Sequence, residues 1–142
     1  MLKSTITFSI LSISLFTLSC QSAAEKKWEQ TMKVHDVVML KMQETGEMAQ
    51  KIDALLQKSK TADSTSILFV KQDTLVGAIH QLEKADIEMM NWMANIQKPT
   101  KSDDQDSILH YLDQEEKAIV TVGNQMDQAI HHAEGVISSL KK

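Results

Sequence analysis

Three polar side chains interrupt apolar helical stripes. His35 stands between Met32 and Met39, Asp86 between Leu82 and Met89, and Glu115 between Leu112 and Ile119. One imidazole and two carboxylates form a donor set for zinc or a similar divalent ion. The same three groups can also hydrogen-bond and share charge among themselves, fixing the register of helices that would otherwise slip. Folding the chain about turns centred near Thr61 and Thr100 sets His35 beside Asp86 and Asp86 beside Glu115. The three breaks are therefore expected in one layer, within about a helical turn. A structural polar layer is the first reading of that trio, and a metal site is the alternative.

Methionines crowd the same region, most densely in "ADIEMMNWM", residues 85–93. Thioethers select Cu(I), which makes Met39, Met89 and Met93 candidate contacts beside His35. Met is also an unbranched helix former whose sulfur packs well on aromatic rings, so core packing is the plainer reading. Trp92 falls off the main stripe and is expected to make a surface contact. Trp28 lies on its stripe and is expected in the core. Membrane-interface placement is a further reading for the aromatic residues near the start of the helical region. The remaining histidines, His80, His110, His131 and His132, lack ligand spacing and are expected on solvated faces.

No Gly-rich phosphate loop, nucleophile elbow, HExxH or CxxC motif is present, so the sequence gives no ground for an enzyme. The chain has no arginine, and its lysines are spread among more numerous acids at a formal charge of −4. Arginine is the preferred residue for phosphate and base recognition, so nucleic-acid binding is not expected. No resident cofactor is expected beyond the metal alternative.

The elements that position these residues begin with a removable leader. "MLKSTITFSILSISLFTLSC" has one basic residue, Lys3, then an apolar run broken only by Ser and Thr, and ends at Cys20. The run is short for a bilayer span and sits where a secretory h-region sits. Small Ser19 before Cys20 resembles a loose bacterial lipobox. That resemblance implies cleavage before Cys20 and acylation of its thiol, with residues 1–19 as signal peptide and 20–23 as a short tether. Cys20 is the only cysteine, so no intrachain disulfide can form. The expected partner is a membrane, reached through that lipid, together with a protein the sequence does not identify. The expected location is the cell envelope, on the outer membrane.

Residues 24–142 are expected to form one all-α domain. Gly is scarce and Pro99 is the only proline, a composition suited to long helices. Trp28, Met32, Met39, Met42, Met48, Ile52 and Leu55 mark a first amphipathic helix by their threes and fours. Leu68, Leu75, Ile79, Leu82, Met89, Met93 and Ile96 mark a second. Ile108, Leu112, Ile119, Val122, Met126, Ala129, Ala133, Val136 and Leu140 mark a third. Asp63 or Ser64 is the expected cap of the second helix, and Ser102 or Asp103 of the third. Lys98 precedes Pro99 and is biased away from helix, so the second helix should stop near Ile96 or Gln97. Three such helices with short connections give an up-down-up bundle. A side-by-side dimer of bundles is the alternative.

The segments "WEQTMKVHDVVMLKM", "EMAQKIDALL", "LEKADIEMMNWM" and "YLDQEEKAIVTV" together resemble the small helical lipoproteins of Bacteroidota often called "viral A-type inclusion protein". The matching positions are Val34, His35, Asp36, Met39, Met42, Met89, Met90, Trp92 and Met93. The family often has an acid where this chain has Val37 and a proline where it has Leu40. The resemblance implies an all-helical fold and an envelope location. It implies no activity.

Overall fold

The computed structural model describes residues 22–100 and 103–141. These are all-α and form four helices: α1 (Ala23–Lys60), α2 (Ile67–Val70), α3 (Gln72–Asn95) and α4 (Gln105–Ser139). The expected second helix is divided, because Lys71 (φ −98°, ψ 9°) separates the single turn α2 from α3.

Helix ends follow local chemistry. Ser22 accepts from the Glu25 backbone N–H at 3.2 Å, and Glu25 accepts from the Ser22 backbone N–H at 3.0 Å. That reciprocal pair satisfies two donors that a helix start leaves unbonded. Ser66 caps α2, where Asp63 or Ser64 was expected; Asp63 instead accepts from the Thr65 backbone N–H within the preceding turn. Asp104 caps α4 by accepting from the Ser107 backbone N–H at 2.9 Å, one residue beyond the expected Asp103. The other expected cap, Ser102, lies outside the described residues. The α3 end at Asn95, with Ile96 already extended, agrees with the expectation for a helix ahead of Pro99.

Paired side chains reveal helix direction. Lys27 meets Asp113, Gln30 meets Glu116 and Lys41 meets Asp127, each across an offset of 86 residues. A constant offset requires α1 and α4 to run parallel. His35 faces Trp92 and Thr45 faces Asp86, so α3 runs antiparallel to α1. All three long helices pack on one another. Lys27 also reaches Glu116 at 2.7 Å, and the hydrogen bond its ammonium donates to that carboxylate is the main influence raising the Lys27 pKa above its ordinary value.

The buried residues lie on heptad seams. On α3 they are Leu75, Ala78, Leu82, Ala85, Met89 and Trp92, in strict three-four alternation. On α4 they include Ile108, Leu112, Ile119, Val122, Met126, Ala129, Ala133 and Val136. The α1 seam differs, with Ala24, Thr31, Val38, Thr45, Ile52 and Ser59 buried at every seventh position. Half of these carry hydroxyls, and each hydroxyl donates back to its own helix. Thr31 bonds the Lys27 carbonyl, Thr45 that of Met42 and Ser59 that of Leu56. Internal satisfaction makes their burial cheap. Val38 of this seam meets α4 at Gly123, where the missing side chain allows a close approach.

Candidate functional site

The expected layer of His35, Asp86 and Glu115 does not form. His35 lies against Trp92, ring centroids 5.6 Å apart at 27°, with Nδ1 3.0 Å from Asp36 Oδ1. Asp86 instead meets Thr45, ten residues further along α1, or about 15 Å at the helical rise. Glu115 is half-buried on the α4 seam. The α1–α4 offset sets it level with Glu29, six residues from His35 in the other direction, or about 9 Å. The trio therefore occupies three levels. The physical reason lies in both connections. The segment after Lys60 and the turn α2 shift the first fold's centre beyond Thr61. The connection from α3 to α4 sets Ala85 on one surface with Ala129, so that neighbouring Asp86 is far along α4 from Glu115. Among the described residues, no three His, Cys, Asp or Glu side chains gather where they could hold a metal ion.

The methionines separate as well. Met89 is fully buried and Met93 packs partly buried against the main core, whereas Met39 is exposed. Trp92, expected at the surface, is a core residue at 7% exposure and continues the α3 seam. Trp28 is half-buried against a small second cluster of Ala24, Ile108 and Leu112. His80, His110, His131 and His132 are exposed, as expected. Cys20 lies outside the described residues.

Asp86, one of the expected trio, does pair between helices, with buried Thr45. Thr45 Oγ1 is 2.5 Å from Asp86 Oδ1 and 2.9 Å from the Met42 carbonyl oxygen. One hydroxyl proton cannot serve both acceptors at once. A protonated Asp86 would donate to Thr45 and leave Thr45 free to donate to Met42. Burial pushes the Asp86 carboxyl above its ordinary value, and the bond from Thr45 pulls it partly back. The folded state thus holds this proton more tightly than the unfolded chain does. The resulting stability is fully present below the ordinary Asp range, near pH 4, and is lost as pH rises through the folded value. Asp86→Asn supplies a permanent donor to Thr45. It is expected to raise the melting temperature at pH 7 by a few degrees and to change it little at pH 3. Thermal unfolding at both pH values checks this, and an equal or lower melting temperature at pH 7 contradicts it.

A cleft opens at the end of the fold where α1 begins. About 400 Å³ in volume, it is lined by Ser22, Ala24, Trp28, Lys98, Pro99 and Ile108 among others. The Lys98 ammonium sits 6.0 Å from the Trp28 ring centroid, at the outer limit of a cation–π contact. On the far side of the 98–100 connection, Tyr111 accepts from the Gln97 backbone N–H at 2.8 Å. A second, more open depression lies there, lined by Tyr111, Asp103 and Asp104. An aromatic wall, one ammonium and several hydroxyls can hold an amphiphile with an anionic head. Of the three aromatic residues that sequence places at this end, Trp28 and Tyr111 line the two depressions and Trp92 does not; Lys98 joins them, and its signal is its place beside Pro99 in the returning loop. No helix among the described residues is long and apolar enough to cross a membrane. Comparison with family models, curated proteins and solved structures finds no match to this chain.

Proposed function

We propose that this chain is a lipid-anchored cell-envelope protein, akin to the Bacteroidota lipoproteins it resembles, that binds or scaffolds a partner without catalysis. In this reading α1, α3 and α4 act as one up-down-up three-helix bundle, with α2 as an appended turn. The carrying observation is the junction at Cys20. An apolar leader ends on the only cysteine, and a capping box starts a 38-residue helix at Ala23. A rigid rod about 57 Å long therefore begins within three residues of the acylated position. Trp28, Tyr111 and Lys98 ring that end, the residue types favoured at a membrane interface. Several acyl chains on Cys20 would hold the protein stably, since one chain binds only marginally.

Expression of the full chain in a bacterial host with an alkyne-tagged fatty acid tests the reading. The expected result is a labelled, membrane-bound protein whose first residue is Cys20, read by mass spectrometry of its N-terminal peptide. Cys20→Ala is expected to lose the label completely. An unlabelled wild-type chain, or a label that survives Cys20→Ala, would sink the proposal.

A further inference from the structure

The end of the fold opposite Ser22 carries an exposed apolar turn. In α2, "ILFV", no residue is buried. Ile67 is 45% exposed, Phe69 44% and Val70 66%, side by side in one turn. Only half-buried Leu68 is left to hold the turn down. Exposed apolar residues scattered singly are ordinary, but three within one turn at a loop tip are a docking feature.

Charge around the tip singles out its partner. The chain as a whole carries a formal −4. Its α2 end is the reverse. Lys58 and Lys60 close α1, Lys71 follows α2, and the parallel run of α1 and α4 brings Lys141 to the same end. The nearby acids are Asp53, Asp63 and Asp73, one fewer than the lysines; Asp53 accepts from Gln57, and Asp63 is engaged by the Thr65 backbone N–H and hydroxyl. An apolar point at an end of the fold that gathers four lysines matches an anionic lipid surface, where the apolar side chains enter the acyl boundary and the lysines meet headgroup phosphates. Area argues against a second copy of the chain. Three half-exposed side chains offer on the order of 300 Å², well short of the roughly 800 Å² per partner of a stable interface.

We propose that the α2 tip, centred on Phe69, docks on an anionic lipid surface. This contact is independent of lipid on Cys20: the tip follows the C-terminal end of α1, the far end of that helix from Ser22.

Photo-crosslinking of the full chain tests the tip directly. p-Benzoylphenylalanine is placed at Phe69, and separately at Val120, an exposed α4 position remote from the tip. Each protein is irradiated with phosphatidylcholine vesicles and with vesicles containing phosphatidylglycerol. The expected result is a phospholipid adduct at position 69, about fivefold stronger with phosphatidylglycerol and absent at 120. Lys58→Gln, Lys60→Gln and Lys71→Gln together should bring it down to the phosphatidylcholine level, with helicity by circular dichroism unchanged. A protein dimer adduct, no adduct, equal adducts on both vesicles, or equal adducts at both positions would overturn the proposal. A chain found without lipid on Cys20 would leave this readout intact, so the two ideas fail separately.

Discussion

Gly123→Leu is expected to destabilise the fold by about 3 kcal/mol, the upper end of overpacking costs. Gly123 is buried on α4 where that helix meets α1. A Cβ built there would lie 2.9 Å from Val38 Cγ2, closer than real contacts allow, with Val38 Cγ1 at 3.9 Å and Lys41 Cε at 4.0 Å. Val38 is 3% exposed and β-branched, so in a helix it has one strongly preferred rotamer and cannot swing aside. The helices must part or the leucine must strain. Alanine is a finer balance, since its helix propensity gain of about 1 kcal/mol offsets part of the clash. Gly135 provides the internal control: a Cβ there meets nothing within 4 Å, so Gly135→Ala should gain about 0.5–1 kcal/mol. Val38→Ala opens space at the contact. Combined with Gly123→Leu it should recover at least about 1 kcal/mol relative to the sum of the single changes. Urea unfolding of the four variants reads these values. A Gly123→Leu protein as stable as wild type would mean that α1 and α4 do not approach here.

The same close approach explains what the sequence disclosed and what it hid. Scarce Gly, one Pro and threes-and-fours spacing sufficed for the all-α class, the extent of α1 and the stop before Pro99. They did not disclose the α1 seam. Apolar periodicity gives weight to large residues, and on the α1 stripe the large residues are mostly methionines. Closely approaching helices select small ones, and Thr31, Thr45 and Ser59 can be buried because each hydroxyl is satisfied within its own helix. The seven-residue spacing from Ala24 to Ser59 was the available signal. On α3, Ala78 and Ala85 hide the seam in the same way, because the larger Ile79 and Met93 beside it carry the apolar signal. The polar trio failed for another reason. Asp86 was singled out because it interrupts a stripe, and it does take part in an interhelical pair. Its partner depends on register, and register depends on the length and path of the 61–71 connection, which periodicity cannot fix. Glu115 holds a seam position on α4 but lies level with Glu29 rather than with His35.

Trp92→Ala separates the two views of "ADIEMMNWM" most sharply. An exposed contact residue truncated to alanine changes stability by no more than about 0.5 kcal/mol. A buried tryptophan costs about 3–5 kcal/mol, because transfer free energy is lost and a cavity is left. Trp92 belongs to the second class: it continues the Leu75–Met89 seam at 7% exposure, and its ring lies over His35. Its Nε1 is buried and makes no hydrogen bond among the described residues. That N–H is a desolvated donor whose removal recovers part of its cost. Trp92→Phe should therefore lose only about 1 kcal/mol despite its smaller ring, since it keeps most of the aromatic volume and deletes the unbonded donor. His35→Ala removes the stacked partner alone and should cost about 1 kcal/mol. Urea unfolding at pH 7 ranks the three. The ranking Trp92→Ala far below Trp92→Phe and His35→Ala follows only if the indole is core. Near-equal stability of Trp92→Ala and wild type would return Trp92 to the surface and remove the reason His35 interrupts its stripe, which is to provide a flat, partly polar cover for that ring.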